Sequence, residues 1–235
     1  MENEIYIYRN FLHSFSIDKL PYQEIAPEIK ETELCHRFID PFLSALFDEP
    51  DNGVLFRCTT NQEAKETPSK ASISNQRPDS CVTEMNGLHF GHSLGYVEVK
   101  PASEAGNQYG ISKDLIRLCL LTKNFLDAFG LKASLSIQLV NHKANILLNK
   151  LEADGFYVCT EFAATIPNSI EHLGAFPSYF DDLIAILHCF RKWCVPMKPN
   201  ENTMMYTKRR PSLPDEQFNM ISPSRSNKRR AVTMP

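Results

Sequence analysis

The stretch RPDSCVTEMNGLHFGHSLGYVEVK, residues 77–100, decides the fold of this chain. It begins with Pro78-Asp79, carries the turn-forming pair Asn86-Gly87 near its middle, and ends in Glu98-Val99-Lys100 after an apolar run. Because side chains alternate between the two faces of a strand, Glu98 and Lys100 are expected on one face, about 7 Å apart. The stretch therefore predicts a β-hairpin that carries acids and a lysine at one end.

The register of this hairpin decides whether Asp79 reaches Glu98. A regular two-residue turn at Asn86-Gly87 would displace Glu98 from Asp79 by roughly 13 Å, too far for the two carboxylates to share a metal ion. Direct opposition of the two acids requires a longer bend, or a β-bulge at Gly91 or Gly95. We expect the longer bend or the bulge, since a clean Asn-Gly turn would separate the acids.

Hydrophobic periodicity predicts the other elements of the chain. Their order is helix, three strands, helix and strand, followed by two further strands and a final helix. The predicted bounds outside the hairpin are 29–47, 54–58, 111–129, 131–140, 142–151, 155–162 and 179–195. This order indicates an α/β domain at residues 29–196, with an extension at 1–28 and a disordered basic tail at 197–235.

Composition limits the class of protein. With 43% hydrophobic and 23% charged residues the chain is typical of a globular domain, and it has no run of eighteen apolar residues. The amino end is acidic where a signal peptide would be basic, which argues against secretion. Seven cysteines without a CxxC pair favour reduced thiols in an intracellular protein. His89 and His92 with Cys81 are the best zinc candidates; the alternative is that they are polar hairpin residues.

Charge is unevenly distributed along the chain. The last 35 residues hold seven Lys/Arg and three Asp/Glu, so the total net charge of −3 leaves −7 for residues 1–200. An acidic body attracts nucleic acid poorly, since phosphate contacts by Lys/Arg dominate that affinity. In the tail, two basic clusters separated by seventeen residues predict a bipartite nuclear localisation signal, or a segment that binds nucleic acid non-specifically. The clusters are Lys208, Arg209 and Arg210, and Lys228, Arg229 and Arg230.

The motif that begins with Pro78-Asp79 and, eighteen residues later, reaches Glu98-Val99-Lys100 resembles the PD-(D/E)XK nuclease superfamily. The element order over roughly residues 30–141 is similar to the αβββαβ core of that restriction endonuclease-like fold, a mixed central sheet flanked by helices. The chain looks like a short eukaryotic member without a DNA-recognition module. Its extra strands and helix would follow the core.

The resemblance implies a catalytic site formed by Asp79, Glu98 and Lys100. Asp79 and Glu98 would bind Mg²⁺ or Mn²⁺, which prefer hard oxygen ligands, and Glu33 from the first helix would join them. Lys100 would orient the attacking water or neutralise charge on the phosphate. Two alternatives stay open: Glu98 and Lys100 form an ordinary same-face ion pair, or Glu33 is only a first-turn acid.

Four further residues are candidates for binding substrate. Lys113 and Arg117 lie one turn apart on the long predicted helix, where they would meet either a phosphate or an acid of the protein. Gln138 would reach the edge of the site or face solvent. Arg77 would contact phosphate or brace Glu98.

The function expected from these features is metal-dependent hydrolysis of phosphodiester bonds in nucleic acid, DNA rather than RNA. The alternative is a catalytically inactive protein of the same fold that binds nucleic acid or a protein partner. The basic clusters predict residence in the nucleus through an import receptor, and otherwise in the cytoplasm. No membrane partner is expected.

Overall fold

Residues 20–25, 29–58 and 78–220 are described by a computed structural model. They form a six-stranded mixed sheet flanked by helices, which confirms the predicted α/β class. The strands are β1 (Val54–Cys58), β2 (Ser80–Asn86), β3 (His89–Lys100), β4 (Ser134–Val140), β5 (Lys143–Ala153) and β6 (Phe156–Thr165). The helices are α1 (Glu31–Leu34), α2 (Asp40–Phe47), α3 (Gln108–Phe129), α4 (Ile170–Leu173), α5 (Phe180–Trp193), α6 (Pro199–Tyr206) and α7 (Asp215–Met220).

The strands lie side by side in chain order, from β1 to β6. Every neighbouring pair is antiparallel except β3 and β4, which are parallel. Parallel strands need a crossover connection, and the 22 residues of α3 supply it. The β3–β4 contact is close, because a Cβ atom added to Gly95 would lie 2.8 Å from the Cβ of Leu135. Glycine at this position allows the two strands to meet.

The two faces of the sheet differ in chemistry. One face is apolar and packs against α2 and α5, whose phenyl rings meet edge to face, as in the Phe47–Phe190 pair with ring centroids 5.2 Å apart. Val97 and Val99 of β3 point to this side and are fully buried. Burying each such side chain contributes about 1.5–3 kcal/mol. This face supplies most of the hydrophobic core.

The other face lies under α3. Asn107 caps the start of this helix, and its side chain accepts a hydrogen bond of 3.0 Å from Gly110 N–H. Gly130, with φ of 63°, caps the other end at the predicted stop. A small cluster of buried side chains joins α3 to β2 and β3. Its members are Cys81, Tyr96, Leu118, Leu121 and Phe125.

The hairpin of β2 and β3 contains the β-bulge that is needed to bring Asp79 opposite Glu98. Asn86 pairs with His89 across a turn of Gly87 and Leu88, and two register shifts follow before Ser80 pairs with Val97. The first shift lies near Gly91, where an added Cβ atom would lie 2.9 Å from the Glu84 carbonyl oxygen. The predicted bulge is therefore confirmed.

Several local features differ from their predictions. The first helical segment begins at Glu31, two residues after the predicted start at residue 29, and the side chain of Lys30 makes no capping hydrogen bond. A π-helical turn, Cys35–Ile39, separates α1 from α2. Residues 199–220, assigned from sequence to a disordered tail, contain α6 and α7. No helix within the described ranges is long and apolar enough to cross a membrane.

We predict that the free energy of unfolding depends on pH through His142, which lies between β4 and β5. Burial lowers the pKa of His142 from 6.5 to about 4, so the unfolded chain takes up this proton at a higher pH than the folded one. Above pH 6.5 this histidine is neutral in both states and does not alter the free energy of unfolding. As the pH falls toward 4, the unfolded chain is stabilised by protonation and the free energy of unfolding decreases by at most about 3 kcal/mol.

Urea unfolding at pH 7 and pH 5 measures this effect. The loss of stability between the two pH values should be smaller in His142→Gln than in the unmodified chain. The matched control is His188→Gln, since His188 is exposed on α5. An unchanged pH dependence in His142→Gln would contradict the prediction.

Candidate active site

The candidate active site begins where β2 and β3 open toward α3. Asp79 directly precedes β2, and its N–H donates to the Val97 carbonyl at 3.0 Å, continuing the pairing of Ser80 with Val97. Val99 N–H in turn donates to the Asp79 carboxylate at 2.8 Å. These two bonds hold Asp79 beside Glu98, as the predicted register required.

The alternation of β3 directs Glu98 and Lys100 to the α3 face, away from the apolar core that takes Val97 and Val99. Glu98 is only 4% exposed. Lys100 Nζ lies 3.2 Å from Glu98 Oε1 and remains partly accessible. The same-face placement predicted from sequence is confirmed, but the pair is buried rather than a surface ion pair.

Helix α3 contributes an acidic residue, Asp114, and a basic residue, Arg117, to this site. Asp114 lies 3.2 Å from Lys100 Nζ and 3.3 Å from Arg117, one helical turn further along. Arg117 also forms an ion pair with Glu98. Of the two partners considered for Arg117, an acid of the protein is therefore the one observed. The contact of Asp114 with Lys100 also links β3 to α3.

The electrostatics of the site follow from burial. Burial raises the pKa of Asp79, with the Val99 hydrogen bond opposing the rise and the charge of Glu31 adding to it. Burial and the neighbouring charge of Asp79 raise the pKa of Glu98. Burial alone would lower the pKa of Lys100, but the charges of Glu98 and Asp114 outweigh it and raise the value. The lysine is thus held as an ammonium group.

One oxygen of the site lacks a partner. Glu98 Oε1 contacts both cations, whereas Glu98 Oε2 is buried and accepts no hydrogen bond within the described part of the chain. Leaving a buried carboxylate oxygen without a donor is costly. Together with the Asp79 carboxylate it offers the hard oxygen donors that Mg²⁺ and Mn²⁺ prefer. The chemistry of these donor atoms suits such an ion.

The first helical segment carries two exposed acids, Glu31 and Glu33. Glu33 is exposed and pairs with Arg37 at 3.1 Å, one turn along its own helix. The charge of Glu31, two residues earlier, acts on Asp79. Glu33 therefore has the arrangement of an ordinary first-turn acid, and Glu31 acts on the site only through its charge.

The remaining residues predicted to bind substrate lie at different places in the protein. Gln138 is buried beside Glu98 in the β3–β4 register and donates to the Ile111 carbonyl at 2.7 Å, so it does not face solvent. Lys113 lies over the rings of Tyr109 and Phe218. Arg77 lies outside the described residues.

The first basic cluster of the predicted localisation signal is folded against the domain. Arg209 lies 3.6 Å from Asp127 of α3, and Arg210 forms an ion pair with Asp154. The Lys208 carbonyl accepts a hydrogen bond from Gly155 N–H at 2.8 Å. The second cluster, Lys228, Arg229 and Arg230, lies outside the described residues.

The zinc candidates taken from sequence are not assembled. His92 pairs instead with Glu84 at 3.1 Å and stacks on Phe129, while Cys81 is buried under α3. The metal-ligating side chains that do converge within the described ranges are His36, Asp40 and Cys58. Their spacing along the chain gave no signal, because Cys58 comes from a strand distant in sequence.

Comparison of the chain with protein-family models, with curated proteins and with solved structures finds no match.

We predict that Arg117 is worth far more to folding than an exposed arginine. Arg117→Met would leave the buried Glu98 with Lys100 as its remaining ion-pair partner and should lower the free energy of unfolding by about 3–5 kcal/mol. The matched control is Arg37→Met, which removes an exposed pair and should cost at most about 1 kcal/mol.

A double-mutant cycle with Glu98→Gln assigns the cost to the pair. Urea unfolding of both single variants and the double variant should give a coupling of at least about 1 kcal/mol between Arg117 and Glu98. Equal costs for Arg117→Met and Arg37→Met would show that the buried pair does not form.

Proposed function

We propose that the chain is a metal-dependent nuclease with a site of the PD-(D/E)XK type. The observation that carries the proposal is the meeting of Asp79, Glu98 and Lys100 at the ends of two neighbouring strands. The order of helix, three strands, crossover helix and parallel fourth strand supports a restriction endonuclease-like core. The appended antiparallel strands β5 and β6 extend the sheet beyond it.

Asp79 and Glu98 would hold Mg²⁺ or Mn²⁺, with Glu31 as the acid from the first helical segment. When bound, such an ion polarises a phosphate and lowers the pKa of a bound water. The site suits this ion electrostatically, because four carboxylates face two cations when all are ionised. The acids are Glu31, Asp79, Glu98 and Asp114, and the cations are Lys100 and Arg117.

Lys100 would act on the phosphate through its charge. Its ammonium group is fixed between Glu98 and Asp114 and remains partly accessible, so it can approach an incoming phosphate without leaving the site. A positioned cation stabilises the negative charge that grows on the phosphate oxygens as the bond breaks. Arg117, which is more deeply buried, orients Glu98 and is a positioning residue.

A second candidate function is that of an inactive nuclease-fold protein that binds nucleic acid or a protein partner. Lys100 and Arg117 both already contact Glu98 Oε1, so the buried acid has cation partners without a metal ion. The net charge of −7 over residues 1–200 also weakens general attraction to phosphate chains.

DNA is the proposed substrate and the nucleus the proposed location. The basis is the resemblance of the acid and lysine motif, together with the two basic clusters of the carboxyl-terminal segment. Recognition of the first cluster by an import receptor would require Arg209 and Arg210 to leave Asp127 and Asp154.

We predict that the full chain cleaves DNA in Mg²⁺ or Mn²⁺ and that Asp79→Asn or Lys100→Met lowers the rate by about 100-fold or more. Plasmid, linear duplex, single-stranded DNA and single-stranded RNA should be compared by gel assay. The controls are Asp51→Asn and Lys143→Met, which make the same chemical changes at exposed positions.

The outcome separates the two candidate functions. Cleavage that survives in both site variants would exclude this site as its source. An absence of cleavage, with salt-dependent binding of DNA by the unmodified chain, would instead support the inactive protein. Thermal melting of each variant tests whether a lower cleavage rate results from loss of folding.

We predict further that Glu31→Gln lowers the cleavage rate and the affinity for the divalent ion, while Glu33→Gln leaves both within about twofold of the unmodified chain, since surface substitutions away from a site are usually small in effect. The two substitutions are chemically identical and two residues apart. A titration of rate against Mg²⁺ concentration measures both quantities. The reverse result would restore Glu33 as the metal ligand predicted from sequence.

A further inference from the structure

A second cluster of ligand atoms lies on the sheet edge beside β1. His36 Nδ1 is 3.1 Å from Asp40 Oδ2, and Cys58 Sγ donates to the same oxygen at 2.9 Å. One ligand atom of each side chain lies within 4.8 Å of the others. The cluster thus combines a nitrogen, an oxygen and a sulfur ligand at one point.

Rigid elements hold these three side chains. His36 lies in the π-helical turn Cys35–Ile39, and Asp40 follows it, with its N–H donating to the Cys35 carbonyl. Turns of this kind are frequent at functional sites. Cys58 ends β1, where it pairs with Ser80, whose hydroxyl donates to Cys58 Sγ at 3.6 Å. The ligands therefore come from a helix and a strand fixed by the core.

Asp40 has a further oxygen without a partner. Its Oδ2 accepts from two side chains, whereas its Oδ1 is buried and has no hydrogen-bond partner among residues 20–25, 29–58 and 78–220. A buried carboxylate oxygen without a donor is costly, and a bound cation would remove this cost.

Nucleophilic catalysis by Cys58 does not fit the arrangement. A reactive cysteine needs a neighbouring base or cation that stabilises its thiolate. Here the thiol donates to the Asp40 carboxylate and not to the His36 imidazole, and burial together with that hydrogen bond raises the pKa of Cys58 to about 11. The thiol is thus kept protonated in the absence of a metal ion.

We propose that His36, Asp40 and Cys58 form a binding site for Zn²⁺ or a similar transition-metal ion, separate from the oxygen-only site at Asp79 and Glu98. Imidazole and thiolate ligands select such ions over Mg²⁺. Three protein ligands leave a fourth position open, and the exposed His36 ring gives the ion access from solvent. Binding forms a metal–sulfur bond and releases the thiol proton to water.

Cobalt is the probe for this site, because a thiolate bound to Co²⁺ gives a charge-transfer absorption band in the near ultraviolet. The full chain, reduced and freed of metal, should develop this band with one equivalent of Co²⁺, and one equivalent of Zn²⁺ should abolish it. Cys58→Ser should lose the band, and His36→Ala should weaken Co²⁺ binding by at least about tenfold.

Matched controls use the same substitutions at other positions. Cys189→Ser and His188→Ala change a cysteine and an exposed histidine of α5 and should keep the band. His36 is exposed, so His36→Ala tests the site even if Cys58→Ser fails to fold. Saturating Zn²⁺ should also raise the melting temperature of the full chain, but not of His36→Ala.

Asp79→Asn distinguishes this proposal from the proposed nuclease activity. That variant should lose Mg²⁺-dependent cleavage and keep the Co²⁺ band, which would show that the two sites can be lost independently. A band unaffected by Cys58→Ser, or absent from the unmodified chain, would overturn the proposal. So would Co²⁺ binding that Asp79→Asn abolishes and His36→Ala does not, because the ion would then belong to the neighbouring carboxylates.

Discussion

The burial of the Glu98 carboxylate beneath helix α3 is the constraint on which the rest of the site depends. A charge removed from water costs several kcal/mol unless it is paired and hydrogen-bonded, and Glu98 meets this requirement only with cations from two different elements. Lys100 arrives along the same strand, and Arg117 arrives from the crossover helix. The position of α3 over the sheet is thus tied to this one acid. A shift of the helix by one turn would remove Arg117 from Glu98.

Removing one partner of a buried ion pair is costly, but the intact pair adds little stability relative to apolar side chains of similar volume, which often do as well or better. The chain has such packing available. Its opposite face is filled by aromatic and branched residues around α2 and α5, as in the contact of Phe47 with Phe190. Several polar side chains lie on the α3 face instead, where Ser136, Gln138 and Asn149 are also buried and hydrogen-bonded. This asymmetry is more readily explained by a site than by the needs of folding.

Much of this arrangement is predictable from the sequence, because it depends on short-range periodicity. Alternation along β3 fixes Glu98 and Lys100 on one face and Val97 and Val99 on the other. The two glycines of β3 indicate where its register can change. Prediction fails where a contact joins distant segments. The choice between Glu31 and Glu33 depends on how the first turn is oriented, and its start carries no clear capping residue. The sequence pattern places Arg209 and Arg210 in a disordered tail, because their partners, Asp127 and Asp154, are far away in the chain.

Two sets of donors with different chemistry lie close together at this end of the sheet. Cys58 pairs with Ser80 across the sheet, and Asp79 is the residue before Ser80. The charge of Asp79 therefore acts on the Cys58 thiol. The oxygen donors of Asp79 and Glu98 favour Mg²⁺, which binds sulfur poorly, whereas His36 and Cys58 favour a softer ion. The donor atoms would therefore sort two kinds of ion between adjacent positions. Because like charges repel, an ion at either position would weaken binding at the other, and the repulsion is largest where burial excludes water.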